Sequence, residues 1–170
     1  MFKELWTLIK MLFQSKPSEA VGKDLEVIVM KHFPFAGNRY MSWCGKVITR
    51  SEKKAVIDRF LTTLAGNKSK NHEGWHVKQG IDEHGDNWLR YYLNYFWPWI
   101  KWNPLIKPAH ACYYINRYEC QAYAMEDYPV DWECDSRKDL KGKYSIKKAK
   151  KKYVELGGTS KAWKEYVKSL

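Results

Sequence analysis

Residues 72–76 read His72-Glu73-Gly74-Trp75-His76, and these side chains at this spacing can hold a metal ion and put a water to work beside it. Positions four apart on an α-helix lie one above the other on the same face. Two imidazoles so placed can grip one cation, and a carboxylate next to the first can reach a water on that cation. A zinc ion held by three protein ligands keeps a fourth position open and lowers the pKa of bound water from about 16 to roughly 7. That chemistry hydrolyses an amide at neutral pH, with Glu73 as the base. The plainer reading is two surface histidines on a polar helix.

A third ligand must come from elsewhere. A continuous H-E-x-x-H-x-x-G-x-x-H run would supply a histidine from the same segment. Here Gln79 and Asp82 stand at the last two of those positions, while Gly80 and His84 fall at other offsets. The alternative is a glutamate from a separate helix, as in His₂Glu zinc sites. The stretch Tyr113–Ala124 carries Glu119, with Ala122 and Tyr123 three and four residues on and therefore on one helical face. A side chain as small as Ala122 lets that helix approach the histidine helix closely. The expected metal ligands are His72, His76 and Glu119.

With these residues in place the chain resembles the gluzincin arrangement, in which a helix carrying E-x-x-A, often continued by Asp, follows H-E-x-x-H and gives the third zinc ligand. The integral-membrane CaaX-processing proteases have a similar Glu-x-Gln-Ala-Asp run. A closer likeness is to small single-domain zincin-like proteins of bacteria and their phages, which pair His-Phe-Pro-Phe-x-Gly with H-E-x-x-H and an E-x-E-A-Y-A helix. The matching residues are His32-Phe33-Pro34-Phe35-Ala36-Gly37 and Glu119-Cys120-Gln121-Ala122-Tyr123-Ala124, and the likeness spans residues 25–130. It implies a minimal zincin-like metallopeptidase fold, α+β and mainly helical, with a small antiparallel sheet. It also implies zinc as cofactor and a peptide or protein as substrate. The rival it implies is a structural or assembly component of a phage particle or other large complex, in host cytoplasm or virion, with little or no catalysis.

The chain departs from that pattern at Tyr123, which stands where an acid often orients a metal-binding histidine. Asp127, Asp82 or Asp86 is expected to take over that role. Gly74 lies inside the expected metal helix, where glycine costs about 1 kcal/mol relative to alanine, and is expected to allow close approach by a strand or by substrate. Tyr123 and His110 are the candidates to stabilise a developing oxyanion, although a histidine such as His110 is ordinarily a surface residue in a loop.

The 170 residues suit one domain with a sizeable core, and 16 % of them are aromatic. The opening Met1-Phe2-Lys3-Glu4 is charged and lacks a signal-peptide pattern, and no uncharged run reaches the length of a membrane span. A soluble protein is expected. Cysteines 44, 112, 120 and 134 include no C-x-x-C pair, which argues against a zinc ribbon or redox dithiol and for free buried thiols. Of the net charge of +11, residues 135–170 carry +8, from 12 Lys/Arg and 4 Asp/Glu. The run Lys147-Lys148-Ala149-Lys150-Lys151-Lys152 can attract nucleic acid, acidic lipid or an acidic protein surface. No recognisable nucleic-acid module accompanies it, so a solvated helix face is the nearer reading.

Three parts are expected: an amphipathic arm over 1–16, the zincin-like domain over 17–134 and a basic helical extension over 135–170. Arm and extension both suit docking on a large partner. Within the domain, residues 24–30, 40–43 and 46–49 read as strands, and the segment 41–49 is the candidate edge to hold a substrate by β-pairing. Helices are expected over 52–65 with Ser51 as cap, over 70–80 for the metal helix, from 88 to a kink or end at Pro98, over 109–126 for Glu119, and over 143–155, stopping at Gly157-Gly158. A short last helix begins at Ser160 or Thr159. The run Trp88–Trp102 has the Trp and Tyr content of a membrane-interface anchor, but a core helix packed on the metal helix is the reading taken.

Overall fold

The computed structural model describes residues 1–13, 25–34, 40–50, 54–62, 68–85, 87–102, 113–132 and 145–170. The expected linker at 15–18, the Phe35-Ala36-Gly37 part of the zincin-like segment, the Ser51 cap, Asp86, His110, Cys112 and Cys134 lie outside the described residues.

A helix, α3 (Lys68–His84), forms the spine and carries the H-E-x-x-H residues. It runs one turn past the expected end near residue 80. The polar residues there all find partners: Asp82 meets Lys78 at 3.0 Å, Glu83 binds Arg117, and His84 Nε2 lies 3.1 Å from the Tyr118 hydroxyl. Gly85, in the left-handed region at φ +55°, ends the helix. Two glycines let neighbours press against it. A Cβ on Gly80 would stand 2.1 Å from the Trp88 ring, and one on Gly74 would stand 2.8 Å from Val130 Cγ2. The nearest neighbour that Gly74 admits is the chain following the Glu119 helix, with Leu25, two residues before β1, next at 3.6 Å.

Against one side of α3 lies a three-stranded sheet of β1 (Val27–Val29), β2 (Tyr40–Trp43) and β3 (Lys46–Thr49), in the order β1-β3-β2. β2 and β3, both expected as strands, pair antiparallel as a hairpin around Cys44 and Gly45, both at positive φ as a two-residue turn requires. β1 pairs with β3 in parallel, Ile28 opposite Ile48, so the small sheet is mixed. A β-branched run announces a strand but not its neighbour, and here β1 takes the free side of β3, leaving β2 on the edge. Its ladder is shorter than the expected 24–30, though Glu26 C=O and Met30 N–H still bond to β3 at 2.8 and 2.9 Å.

The remaining helices enclose the spine. α1 (Phe2–Phe13) seats Leu8 among Met30, Phe33 and Ile48, and the Trp43 indole donates to Leu8 C=O. α2 (Lys54–Thr62) contributes Phe60 to the main core. α4 (Trp88–Trp102), capped by Asn87, continues through Pro98. It packs Trp88, Tyr91 and Tyr92 into the core with Val77 and Tyr118, as a core helix should.

The helix expected over 109–126 is broken: residues 109–112 lie outside the described residues, 113–114 are helical, and after Ile115-Asn116 a new helix, α5 (Arg117–Met125), begins. The cause is Asn116: its extended backbone and its side chain, which accepts from Tyr118 N–H at 3.0 Å, make it the N-cap. α6 (Ile146–Glu155) ends at Gly157 and Gly158, both at positive φ, and Thr159 rather than Ser160 caps α7 (Ser160–Lys168). Ala149, Tyr153, Trp163 and Val167 of this pair pack on Cys120 and Tyr123 of α5. Cys44 is a free thiol, and Cys120 Sγ lies 3.2 Å from Tyr114 C=O. The fold is α+β and mainly helical, and no helix among the described residues is long and apolar enough to cross a membrane.

Candidate metal centre

α3 and α5 cross so that Glu119 faces the two histidines. Ala122, fully buried, keeps the helices close. His72 Nε2 and His76 Nε2 are 3.2 Å apart. The Glu119 carboxylate straddles them, with Oε2 at 3.4 Å from His72 Nε2 and Oε1 at 3.2 Å from His76 Nε2. A tetrahedral ion with bonds of about 2.0–2.2 Å sets its ligand atoms roughly 3.3–3.6 Å apart. The histidine pair matches that spacing, and with one oxygen taken from Glu119 the three ligand atoms lie within 4.8 Å of one another, a group able to hold one small divalent cation. They form the one such cluster of His, Cys, Asp and Glu among the described residues.

The surroundings favour ligation as well. His76 Nδ1 lies 3.0 Å from Gln79 Oε1. The Gln79 amide nitrogen donates to Tyr118 C=O and to Gln121 Oε1 at 3.0 and 2.8 Å, so its oxygen must be the end that meets His76. That oxygen accepts a proton from Nδ1, which leaves the Nε2 lone pair for a metal. The Tyr91 hydroxyl, 3.4 Å from both atoms, closes the group. On Glu119, Oε1 accepts from the Tyr95 hydroxyl, whereas Oε2 is buried without a hydrogen-bond partner, as is His72 Nδ1. A buried carboxylate oxygen with no donor is an atom that a cation would satisfy.

Without metal, the cluster holds its own proton. Burial alone would lower the His76 pKa, but the Glu119 carboxylate outweighs it and the value rises to about 9. Burial pushes Glu119 the other way, and the His76 and His72 rings hold it well below the usual carboxylate range. Burial, reinforced by Glu119, pushes Tyr95 and Tyr123 up and keeps both phenols protonated.

Glu73 points to the sheet side of α3, and its Oε2 accepts from Ser42 N–H at 2.6 Å. Ser42 C=O accepts from the Tyr92 hydroxyl at 3.3 Å. The outer edge of β2 is therefore already bonded at Ser42, where substrate pairing was expected. The metal ligands and Glu73 open on a cleft of about 1030 Å³, walled by α1, β2 and the aromatic side of α4.

Other expected residues lie elsewhere or act differently. Tyr123 packs its ring 4.5 Å from that of His72 and lines the cleft. Asp82 binds Lys78, and Asp127 binds Lys68 and Lys168, so neither orients a ligand histidine. The residue that does so, Gln79, stood unrecognised one turn beyond His76. Tyr91 and Tyr95 were equally missed, although their spacing of four on an aromatic helix placed both hydroxyls on one face. The basic run lies on α6 with Ala149 and Tyr153 inward and Lys147, Lys148 and Lys151 outward. Comparison of the chain with protein-family models, curated proteins and solved structures finds no match.

Proposed function

We propose that this chain is a zinc-dependent, peptidase-like hydrolase in which His72, His76 and Glu119 hold the ion and Glu73 is the general base. The observation that carries the reading is the convergence of two imidazole Nε2 atoms, 3.2 Å apart, with a carboxylate from a second helix whose two oxygens lie 3.4 and 3.2 Å from them. A zinc ion held there supplies Lewis acidity to a carbonyl and to a water.

The chain's own residues supply the rest. Ser42 N–H anchors one oxygen of Glu73 and leaves the other to accept a proton from water and pass it to a leaving amine. The protonated Tyr123 phenol, on the cleft wall beside His72, is a donor for a carbonyl oxygen. Tyr92, Tyr95 and Phe96, with Leu8 and Leu12 opposite, suit an apolar peptide side chain.

The test combines metal analysis with cleavage. Native protein is expected to hold about one zinc per chain and Glu119→Ala to lose it. Glu73→Gln is expected to keep the metal and lower cleavage of an unstructured protein by about 10²–10⁴-fold. Cleavage that persists undiminished in Glu73→Gln would end the proposal.

A second reading has one observation in its favour. The short Glu73–Ser42 bond is a strut between helix and sheet, and a zincin-like domain kept as an assembly component, for instance of a phage particle, would retain it without catalysis. In that case Glu73→Gln changes stability alone.

A further inference from the structure

One apolar surface among the described residues has no cover. α1 is apolar on two sides. Leu8, Met11 and Leu12 face the domain, whereas Phe2, Trp6 and Phe13 are 81, 58 and 70 % exposed. α4 repeats the pattern: Trp88, Tyr91 and Tyr92 are buried, while Leu89, Leu93 and Trp97, four residues apart, lie outside, the last two more than 60 % exposed. The stripes meet at the cleft, because Leu5 of α1 and Phe96 of α4 both line it and both remain exposed. A contiguous group of large apolar side chains on a surface marks a site of interaction.

The charges around it narrow the partner. Lys3, Lys10 and Arg90 stand exposed on the same two helices. α4 has no acidic residue, and the single one of α1, Glu4, is taken by the backbone N–H groups of Lys31 and His32 and by the His32 ring. A second copy of the chain would bring these cations against their own kind, which opposes self-association. An anionic surface that accepts apolar and aromatic side chains would attract them. Trp at the rim of an apolar face with lysines beside it is the composition of a helix lying in a membrane interface.

We propose that the α1–α4 face docks on an anionic lipid bilayer, with Trp6 and Trp97 at headgroup depth and the mouth of the metal-site cleft against the membrane. The proposed mode is a chain lying on the bilayer surface; no helix among the described residues is long and apolar enough to cross it. The inference does not depend on whether the metal centre is catalytic.

Sedimentation of the full chain with vesicles tests it. Binding to mixed phosphatidylglycerol–phosphatidylcholine vesicles is expected, with weaker binding to phosphatidylcholine alone. The partition constant should fall about tenfold or more in Trp6→Ser/Trp97→Ser and about fivefold in Lys10→Gln, with the circular dichroism spectrum and Tm held. Failure to sediment with anionic vesicles would overturn the proposal, as would partition unchanged in the double variant. A dimer seen by light scattering and dissociated by the same double substitution would assign the face to a second copy instead.

Discussion

Gln79 fixes His76 by having no freedom of its own. Its amide nitrogen is committed to Tyr118 C=O and Gln121 Oε1, which turns its oxygen to His76 Nδ1 at 3.0 Å. The ring is held in the orientation that offers Nε2 to the centre. Replacing Gln79 by Leu keeps the volume but frees the ring, and metal affinity is expected to fall about 10–100-fold, the usual effect of losing such an orienting partner. Two buried acceptors also lose their donor, at a cost of roughly 1–3 kcal/mol in stability. Chelator competition and urea unfolding measure the two effects separately. Unchanged affinity in a folded Gln79→Leu protein would deny Gln79 its orienting role.

Protons and metal compete for the same ring. His76 is raised from 6.5 to about 9 because the Glu119 carboxylate outweighs burial, so near neutral pH a cation must displace a proton to bind. Metal affinity should therefore climb with pH, about tenfold per unit, until it levels near pH 9. The metal-free protein should behave in the opposite sense. A group whose folded pKa is raised contributes stability below its unfolded value and loses it as pH rises through the folded one. The window is pH 6.5 to about 9, and the metal-free Tm is expected to decline across it. Affinity that is flat between pH 6 and 8 would contradict the pairing of His76 with Glu119.

How much of this could be read from residues alone follows from which contacts are local. The two histidines and Glu73 were legible because one helix fixes their relation, and Glu119 because Ala122 marks a close helix approach. The strands β2 and β3 were legible as two extended stretches broken at Gly45, aromatic Tyr40 and Trp43 in the first and β-branched Val47-Ile48-Thr49 in the second. The parallel pairing of β1 was not, since nothing in Val27-Ile28-Val29 distinguishes β3 from β2. The α5 start was misjudged because Asn116 continues an apolar, helix-compatible run, and its capping role depends on where its side chain turns. Gln79 escaped notice because the groups that turn its oxygen to His76, Tyr118 C=O and Gln121 Oε1, are 39 and 42 residues away, and Tyr91 and Tyr95 because their partners are 12 and 24 residues away; only the packing of three helices brings them together.

The two glycines of α3 should answer differently to alanine. At Gly80 the new methyl would meet the Trp88 ring at 2.1 Å, and a buried indole has nowhere to go. Overpacking of this kind costs typically 1–3 kcal/mol, and the helix-propensity gain of about 1 kcal/mol offsets only part of it. At Gly74 the obstacle is a methyl of Val130 at 2.8 Å, the end of a partly buried side chain that can rotate aside. Gly74→Ala is expected to be near neutral, and Gly80→Ala to lower the Tm measurably. Equal effects in the two variants would mean that Trp88 does not pin α4 to the spine.

Lys78 is a second buried charge on the same helix, outside the metal centre. Its side chain is 1 % exposed and its amine lies 3.0 Å from Asp82, one turn on, and 3.3 Å from Trp132 C=O. Asp82→Ala leaves that amine charged in the interior with one neutral acceptor, and breaking such a pair costs about 3 kcal/mol or more. Replacing both groups together, Lys78→Met with Asp82→Leu, removes the buried amine along with its partly exposed partner and should restore most of the loss. A double-mutant cycle by urea unfolding gives both numbers. If Asp82→Ala alone proves harmless, the amine has found water, and the helix end carrying Glu83 and His84 is less tightly closed against α5 than its contacts indicate.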